Sequence, residues 1–306
     1  MHHRTAPAHH RTAPTAGRRP ATLVAVGHGS RDPRARATLL RLLDRVRALR
    51  PGLDVRLAHI ELNAPLLDET LAGLAAEGRE AVLVPLLFAP GHHVTHDLPA
   101  AVAAVPGLRA RVAAPLGAHP LLAEALAGRL AEAGWTPDGR PDEHLDGRPD
   151  EHPDEHPDEH PDEHPDEHPD EHPDEHPDEH PGAHDRRTTG VVLAAAGSRD
   201  PRSGAETRRI AALLGERLGV PVVPAYASAA APTVPEAVAA LAARGRHRVA
   251  VASCFTAPGL FAARAAAHAP WIAAAPLGAH PALARLVLHR HDRALAAARG
   301  RELAAV

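Results

Sequence analysis

The chain has 306 residues, enough for two domains of ordinary size, and its 2% aromatic content implies cores built from Ala, Val and Leu. The formal net charge of −4 hides an asymmetry, because eight consecutive Pro-Asp-Glu-His units over 149–180 carry two negative charges each and leave +12 on the rest. A basic body suits an anionic small molecule or nucleic acid, although Arg-rich and Ala-rich usage also follows from a GC-rich genome. The lack of aromatics interleaved with basic residues argues against a nucleic-acid partner.

The first 20 residues repeat the hexapeptide HHRTAP and lack the apolar core of a signal peptide, so they are predicted to be a disordered tail. No apolar run approaches the roughly 18 residues that a membrane span needs, which predicts no membrane partner. The single cysteine, Cys254, excludes an intrachain disulfide and fits a reducing compartment. We therefore expect a cytoplasmic protein.

Residues 21–135 alternate apolar strands with amphipathic helices and form the first predicted domain. Asp32 is expected to cap the first helix, with Pro33 at its first position. The run Ala81–Leu87 is apolar throughout, as in a parallel strand buried on both faces. The predicted strands lie at 22–27, 55–60, 81–87 and 111–114, and the predicted helices at 33–50, 65–77 and 120–133, with a loop and a short helix over 90–105.

Residues 136–187 are predicted to be a low-complexity linker rich in Pro, Asp, Glu and His, and residues 188–306 a second domain. Strands are expected in the second domain near 190–195, 221–226, 248–253 and 271–275, with helices between and after them. This alternation predicts right-handed βαβ units with a parallel sheet in each domain. The fold class is therefore α/β.

The second domain is a degenerate copy of the first. The segments 24–34, 88–93 and 115–120 return at 193–202, 256–261 and 276–281, the last as an identical Pro-Leu-Gly-Ala-His-Pro. Three polar residues of the first copy are lost, since Ala196, Ser228 and Phe261 stand in place of His28, Glu61 and His93. Residues needed for packing survive in both copies, so residues found in one copy only are candidates for chemistry.

His28, Glu61 and the pair His92-His93 each follow a predicted strand of the first domain. Ligands of parallel α/β sheets bind beyond the carboxyl ends of the strands, so these side chains are expected at one edge. Two imidazoles and a carboxylate suit a divalent first-row metal ion, although a lone histidine at a strand end is usually structural. Adjacent side chains point apart, so only one of His92 and His93 is expected to face the site.

Other polar residues near these strand ends admit structural interpretations. His59 shares a strand face with Glu61 and either assists the site or packs. His119 and His280 are kept in both copies before a helix, which favours hydrogen bonding at the helix start. The turn Gly29-Ser30-Arg31 either presents backbone N–H groups to an anion or only forms a tight turn.

The segments 27–31 (GHGSR), 61–65 (ELNAP) and 90–99 (PGHHVTHDLP) together resemble the class II chelatases that act on sirohydrochlorin in cobalamin and sirohaem synthesis. The resemblance covers 21–133 well and 190–290 as a degenerate copy. It implies two flavodoxin-like α/β chelatase domains, with catalytic and metal-binding roles for His28, Glu61 and His93. The substrates would be sirohydrochlorin and a divalent metal ion, Co²⁺, Fe²⁺ or Ni²⁺, with no fixed cofactor and with the two domains paired within one chain.

Two other functions compete with a chelatase. A metal-storage protein or metallochaperone would use the histidines of the linker and leave sirohydrochlorin unchanged. A substrate-binding protein that has lost catalysis is disfavoured because the set of His28, Glu61 and His93 is complete. The linker itself is either a metal-concentrating arm or a spacer.

Overall fold

The computed structural model describes residues 20–136 and 186–304, and the predicted N-terminal tail and nearly all of the predicted linker lie outside these ranges. Each described half contains four strands and the helices that connect them. In the first half these are β1 (Thr22–Gly27), α1 (Pro33–Leu49), β2 (Val55–His59), α2 (Leu67–Ala76), β3 (Glu80–Pro85), a π-helical turn (His93–Asp97), α3 (Leu98–Ala103), β4 (Arg109–Val112) and α4 (Pro120–Glu132).

The second half repeats this order without the π-helical turn. Its elements are β5 (Thr189–Ala195), α5 (Pro201–Leu218), β6 (Val222–Tyr226), α6 (Val234–Ala242), β7 (Arg248–Ser253), α7 (Leu260–Ala266), β8 (Ile272–Ala273) and α8 (Pro281–Ala304). Both sheets are parallel, with strand orders β2-β1-β3-β4 and β6-β5-β7-β8. The predicted α/β class and parallel sheets are confirmed.

Predicted element boundaries differ from the observed ones by a few residues. β4 begins and ends two residues earlier than predicted, and β3 ends at Pro85 although the apolar run continues to Leu87. The region 90–105, predicted as a loop and a short helix, contains the π-helical turn followed by α3. Asp32 caps α1 as predicted, accepting a hydrogen bond from the backbone N–H of Arg34 at 2.9 Å.

Alternate residues of each central strand face two different cores. Leu23 and Ala25 of β1 point into one large hydrophobic cluster, whereas Val24 and Val26 point to the other face, against α2 and α3. The large cluster is continuous between the halves, because α1 and α4 pack on α8, and α4 also packs on α5. Burial in this cluster raises the pKa of the Cys254 thiol to about 12, so the cysteine is a packing residue.

Two equivalent arginines cross between the halves in opposite directions. The Arg129 guanidinium donates to the carbonyl oxygen of Leu277 at 2.7 and 3.0 Å, and Arg290 donates to that of Leu116 at 2.5 and 3.2 Å. Each arginine lies nine residues after the proline that begins α4 or α8, so the contact repeats about an approximate twofold axis. We call this set of contacts the reciprocal seam.

No helix within 20–136 and 186–304 has the length and apolar character needed to cross a membrane.

Candidate active site

The loops after β1 and β2 are held against each other by their backbones. The N–H of Glu61 donates to the carbonyl of His28 at 3.0 Å, and that of Ile60 donates to Gly27 at 2.9 Å. Gly29 has φ +112°, and a Cβ there would collide with the carbonyl oxygen of Glu61. Only glycine allows this close approach, which brings the side chains of His28 and Glu61 together.

The structure places His28, Glu61 and His93 at one edge of the first sheet, as the strand ends predict. His28 Nδ1 lies 3.2 Å from Glu61 Oε1, and the rings of His28 and His93 meet edge to face with centroids 4.7 Å apart. The side chains of His28, Glu61 and His93 are 43%, 53% and 37% exposed, so the site is open to solvent. Within the described ranges, no three His, Cys, Asp or Glu side chains already converge as a metal cage.

Asp97 is the site residue that the sequence reasoning missed. Its Oδ2 atom lies 2.6 Å from His93 Nδ1, one turn along the chain. The signal was present, because residues four apart in a helix lie on the same face. Each of the two imidazoles thus has a carboxylate at Nδ1, an arrangement that orients the ring and leaves Nε2 for a ligand.

Of the adjacent histidines only His93 meets His28, as the prediction that one of the two faces the site requires. The ring of His93 faces His28, whereas the His92 side chain is 74% exposed and its ring stacks on that of His96. The distinction matters because only His93 belongs to the group that contains His28 and Glu61.

His59 packs beneath the site and takes no part in the group. It is 1% exposed, and its ring lies beside Gly27 and the α1 side chain of Leu39. Burial lowers the pKa of His59, which favours the neutral ring. Tyr226, also buried, stands at the equivalent position of the second half, which supports the packing interpretation.

Two N–H groups of the turn after β1 donate to side chains of the protein. The N–H of Ser30 donates to Asn63 Oδ1 at 2.7 Å, and the N–H of Asp32 donates to Ser30 Oγ at 3.1 Å. These contacts favour the tight-turn interpretation over an anion cradle. Asn63, which the sequence reasoning had not singled out, ties this turn to the loop that carries Glu61.

His119 and His280 act at helix starts, as predicted. His119 Nδ1 accepts the N–H of Leu121 at 3.1 Å, and His280 Nδ1 accepts the N–H of Ala282 at 3.2 Å. Burial lowers the pKa of both imidazoles, in keeping with an unprotonated Nδ1 acceptor.

The second half keeps the backbone of the site but not its chemistry. Leu62 and Ala229 share a left-handed φ, at 69° and 58°, and a Cβ on Gly197 would collide with the Ser228 carbonyl just as one on Gly29 would with Glu61. The Ser228 hydroxyl donates to the carbonyl of Ala196 at 2.9 Å, closing the turn upon itself. The matching strand ends therefore carry no imidazole–carboxylate pair.

Comparison with known proteins gives consistent matches. The family model described as CbiX matches residues 22–133 and 190–294, more than half of the chain. A sirohydrochlorin cobaltochelatase of Sulfurisphaera tokodaii is 35% identical over 79 residues, which span 26% of this chain and 66% of that protein. One of Methanosarcina acetivorans is 29% identical over 126 residues, spanning 36% of this chain and 95% of that protein.

A similar fold is found in a solved structure described as SirB from Bacillus subtilis with Fe³⁺. The two chains share 20% sequence identity and superpose with a TM-score of 0.62, over 92% of this chain and 97% of the other. At this identity the match concerns the fold. It extends to both halves, since it spans nearly the whole of each chain.

Proposed function

This chain belongs to the CbiX family, and from that premise we propose that it inserts a divalent metal ion into sirohydrochlorin. The ion and the tetrapyrrole are both substrates. The relatives from Sulfurisphaera and Methanosarcina are named cobaltochelatases, and the structurally similar SirB is described with Fe³⁺, so cobalt and ferrous iron are the first candidates, followed by nickel.

The observation that carries the proposal is the contact between two imidazoles, each backed by a carboxylate, in one half only. His28 and His93 meet at 4.7 Å between ring centroids, with Glu61 and Asp97 at their Nδ1 atoms. A carboxylate at Nδ1 fixes the ring and makes Nε2 a better donor. We assign the Nε2 atoms of His28 and His93 to hold the ion before transfer.

Metal insertion replaces two pyrrole N–H protons of the macrocycle by one divalent ion. The ion must lose water and leave its protein ligands, so an open site with few ligands fits better than a closed tetrahedral cage. The two protons need acceptors near the ion. We assign the first proton to Glu61, whose carboxylate is half exposed beside His28. The second proton can go to whichever of His28 and His93 the departing ion has released.

The second half supplies a wall for the macrocycle. The loop at Gly259 reaches the first half, since a Cβ built there would lie 3.4 Å from Ser30 Oγ. The next two side chains, Leu260 and Phe261, are 63% and 38% exposed, and Leu62 beside Glu61 is 54% exposed. We propose that these apolar side chains pack on the macrocycle while the basic body attracts its carboxylates.

An anaerobic insertion assay tests the function. Sirohydrochlorin is offered Co²⁺, Fe²⁺ or Ni²⁺ with the full chain, and its absorption spectrum is followed. A spectral change accelerated by the protein supports a chelatase. Metal binding with an unchanged tetrapyrrole spectrum would instead favour the metallochaperone alternative, for which the linker histidines remain the sequence argument.

Glu61→Gln sharpens the same assay, because it removes the charge and the basicity while keeping the shape. We expect a slower insertion rate without loss of folding. Asp68→Asn, at an exposed carboxylate of α2, is the matched control. An unaffected rate in Glu61→Gln would remove Glu61 from the site.

A further inference from the structure

His92 and His96 form a second pair of imidazoles in the turn that carries His93; we call them the outer pair, and His28 and His93 the inner pair. Their rings stack nearly parallel, with centroids 4.7 Å apart and an interplanar angle of 15°, and both residues are exposed. They stand four residues apart in the chain, so their side chains leave the same face of the turn. The proposed insertion mechanism assigns no role to this pair.

Neighbouring side chains of the turn contact one ring nitrogen of each member of the pair. His96 Nδ1 lies 2.8 Å from Thr95 Oγ1, which leaves its Nε2 available. His92 Nε2 lies 3.4 Å from Asp97 Oδ1, while the other oxygen of the same carboxylate contacts His93 Nδ1 at 2.6 Å. Asp97 therefore touches both the outer pair and the inner pair.

The chemistry of the pair is that of a weak site for a divalent ion. Two histidines four apart on a helical face are a common donor set for first-row divalent metals, and imidazole suits Co²⁺, Ni²⁺ and Zn²⁺. With two protein ligands, water fills the remaining positions, so an ion is held loosely and exchanges readily. In the second half Leu260 and Arg264 stand in these places, so the scaffold does not require the pair.

We propose that His92 and His96 form an outer capture site for a hydrated divalent metal ion, which passes beside Asp97 to the inner histidines. The capture step stands on the outer pair alone, whereas the onward transfer rests on the proposed chelatase function. The transfer is ligand exchange, in which the ion gives up His92 and His96 and gains His28 and His93, with no change of oxidation state. Asp97 is a positioning residue between the two pairs.

Site-resolved histidine footprinting tests the capture step without any turnover. The full chain is modified with diethyl pyrocarbonate at constant pH, with and without Co²⁺ held at a buffered free concentration, and the modified residues are mapped by mass spectrometry. Mapping by residue separates His92 and His96 from the many linker histidines. We expect both to be protected by Co²⁺, and the protection to persist in the His28→Ala/His93→Ala variant.

The control for the footprint is His268, an exposed histidine of the second half, which should stay unprotected. If His92 and His96 are modified equally with and without Co²⁺ at concentrations that protect His28 and His93, the outer site is refuted. Protection that disappears in the double variant would assign it to the inner site and also refute the proposal.

Steady-state kinetics test the transfer step. For His92→Ala/His96→Ala we expect the KM for the metal to rise about tenfold, as for loss of outer partners of a metal site, with kcat within about twofold of the unmodified chain. His268→Ala should change neither. A rise in the KM for sirohydrochlorin alone would show that the pair binds substrate carboxylates. Absence of insertion by the unmodified chain would refute the chelatase function and leave the footprint to decide the capture site.

Discussion

The two halves of this chain share a sheet topology and the turns after their first two strands, but they carry different side chains at the matching strand ends. Around the first strand end, His28 contacts Glu61, and His93 contacts Asp97; around the second stand Ala196, Ser228, Phe261 and Ala265. The left-handed residue after Glu61 or Ser228 and the close approach of Gly29 or Gly197 are common to both. The comparison teaches that the left-handed turn belongs to the scaffold, whereas the scaffold forms without the imidazole–carboxylate pairs to which we assign the chemistry.

Removal of the histidines of the first half is the most direct test of the difference between the halves. His28→Ala and His93→Ala should each lower the insertion rate by about 100-fold or more, because each deletes one of the two proposed imidazole ligands of the ion. Circular dichroism and the thermal midpoint should be unchanged, since both side chains are partly exposed. Near-normal turnover in either folded variant would show that the active site lies elsewhere, for example in the second half.

Asp97→Asn tests the carboxylate that the second half lacks. The amide keeps the shape but loses the charge that orients His93, so we expect insertion to slow by about 10–100-fold. The insertion assay, run at several metal concentrations, measures the effect. Asp68→Asn serves as the control, and an Asp97→Asn rate equal to that of the control would reduce the contact with His93 to a surface hydrogen bond.

The reciprocal seam predicts equal roles for two residues in different halves. Arg129→Ala and Arg290→Ala each remove charge-assisted hydrogen bonds to a carbonyl of the other half, and each should cost about 1.5–3 kcal/mol of unfolding free energy. Urea denaturation measures the cost. The exposed Arg244→Ala should change it by less than about 0.5 kcal/mol. A large effect from only one of the two arginines would show that the seam is not symmetric in energy.

The capping histidines predict a shared dependence of stability on pH. Burial lowers the folded-state pKa of His119 and His280 below the value of about 6.5 expected in the unfolded chain. As the pH falls below that value the unfolded state takes up protons first, so this contribution to stability is complete above it and is lost at lower pH. Denaturation at pH 7.5, 6.5 and 5.5 should show the decline.

Replacement of both histidines by asparagine keeps a capping side chain but removes the titration. The His119→Asn/His280→Asn variant should therefore lose less stability between pH 7.5 and 5.5 than the unmodified chain. Burial also lowers the pKa of His59, so part of the loss of stability at low pH should remain in both proteins. Identical slopes would show that the two caps do not contribute.

The smallest effect is expected from deletion of residues 149–180, which separate the halves in sequence. The repeated imidazoles and carboxylates there predict weak binding of several ions. Insertion should be unchanged at saturating metal and slower when metal is scarce. Equal activity of the two proteins across a metal titration would leave the segment as a spacer.

Much of the scaffold could be predicted because it follows from local chemistry. Asp32 and His119 precede prolines at helix starts, and both cap the helices as expected. The alternation of apolar strands and helices predicted the parallel sheets, and the strand ends predicted that His28 and His93 meet. The loss of Glu61 in the second copy could be read by aligning ELNAP with SAAAP, and the matching turn hydrogen bonds agree with it.

The remaining features depend on contacts between distant segments. Nothing near Ser30 in the chain indicates that its N–H pairs with Asn63, 33 residues away. The exchange of Arg129 and Arg290 spans 148 and 174 residues and has no local pattern. The π-helical turn also escaped prediction, because its single extra residue per turn leaves the apolar spacing of a short helix almost unaltered.

The reciprocal seam has a consequence for how such a chain could arise. Because Arg129 reaches Leu277 as Arg290 reaches Leu116, the contact is self-complementary, and two separate copies of one half could form it about a twofold axis. Joining the copies in one chain turns association into an intramolecular event at high effective concentration. The second half is then always present as a partner, and it needs to keep only the arginine contacts of the reciprocal seam and the apolar loop that we propose packs on the macrocycle. Its strand ends are free to lose the counterparts of the proposed metal ligands.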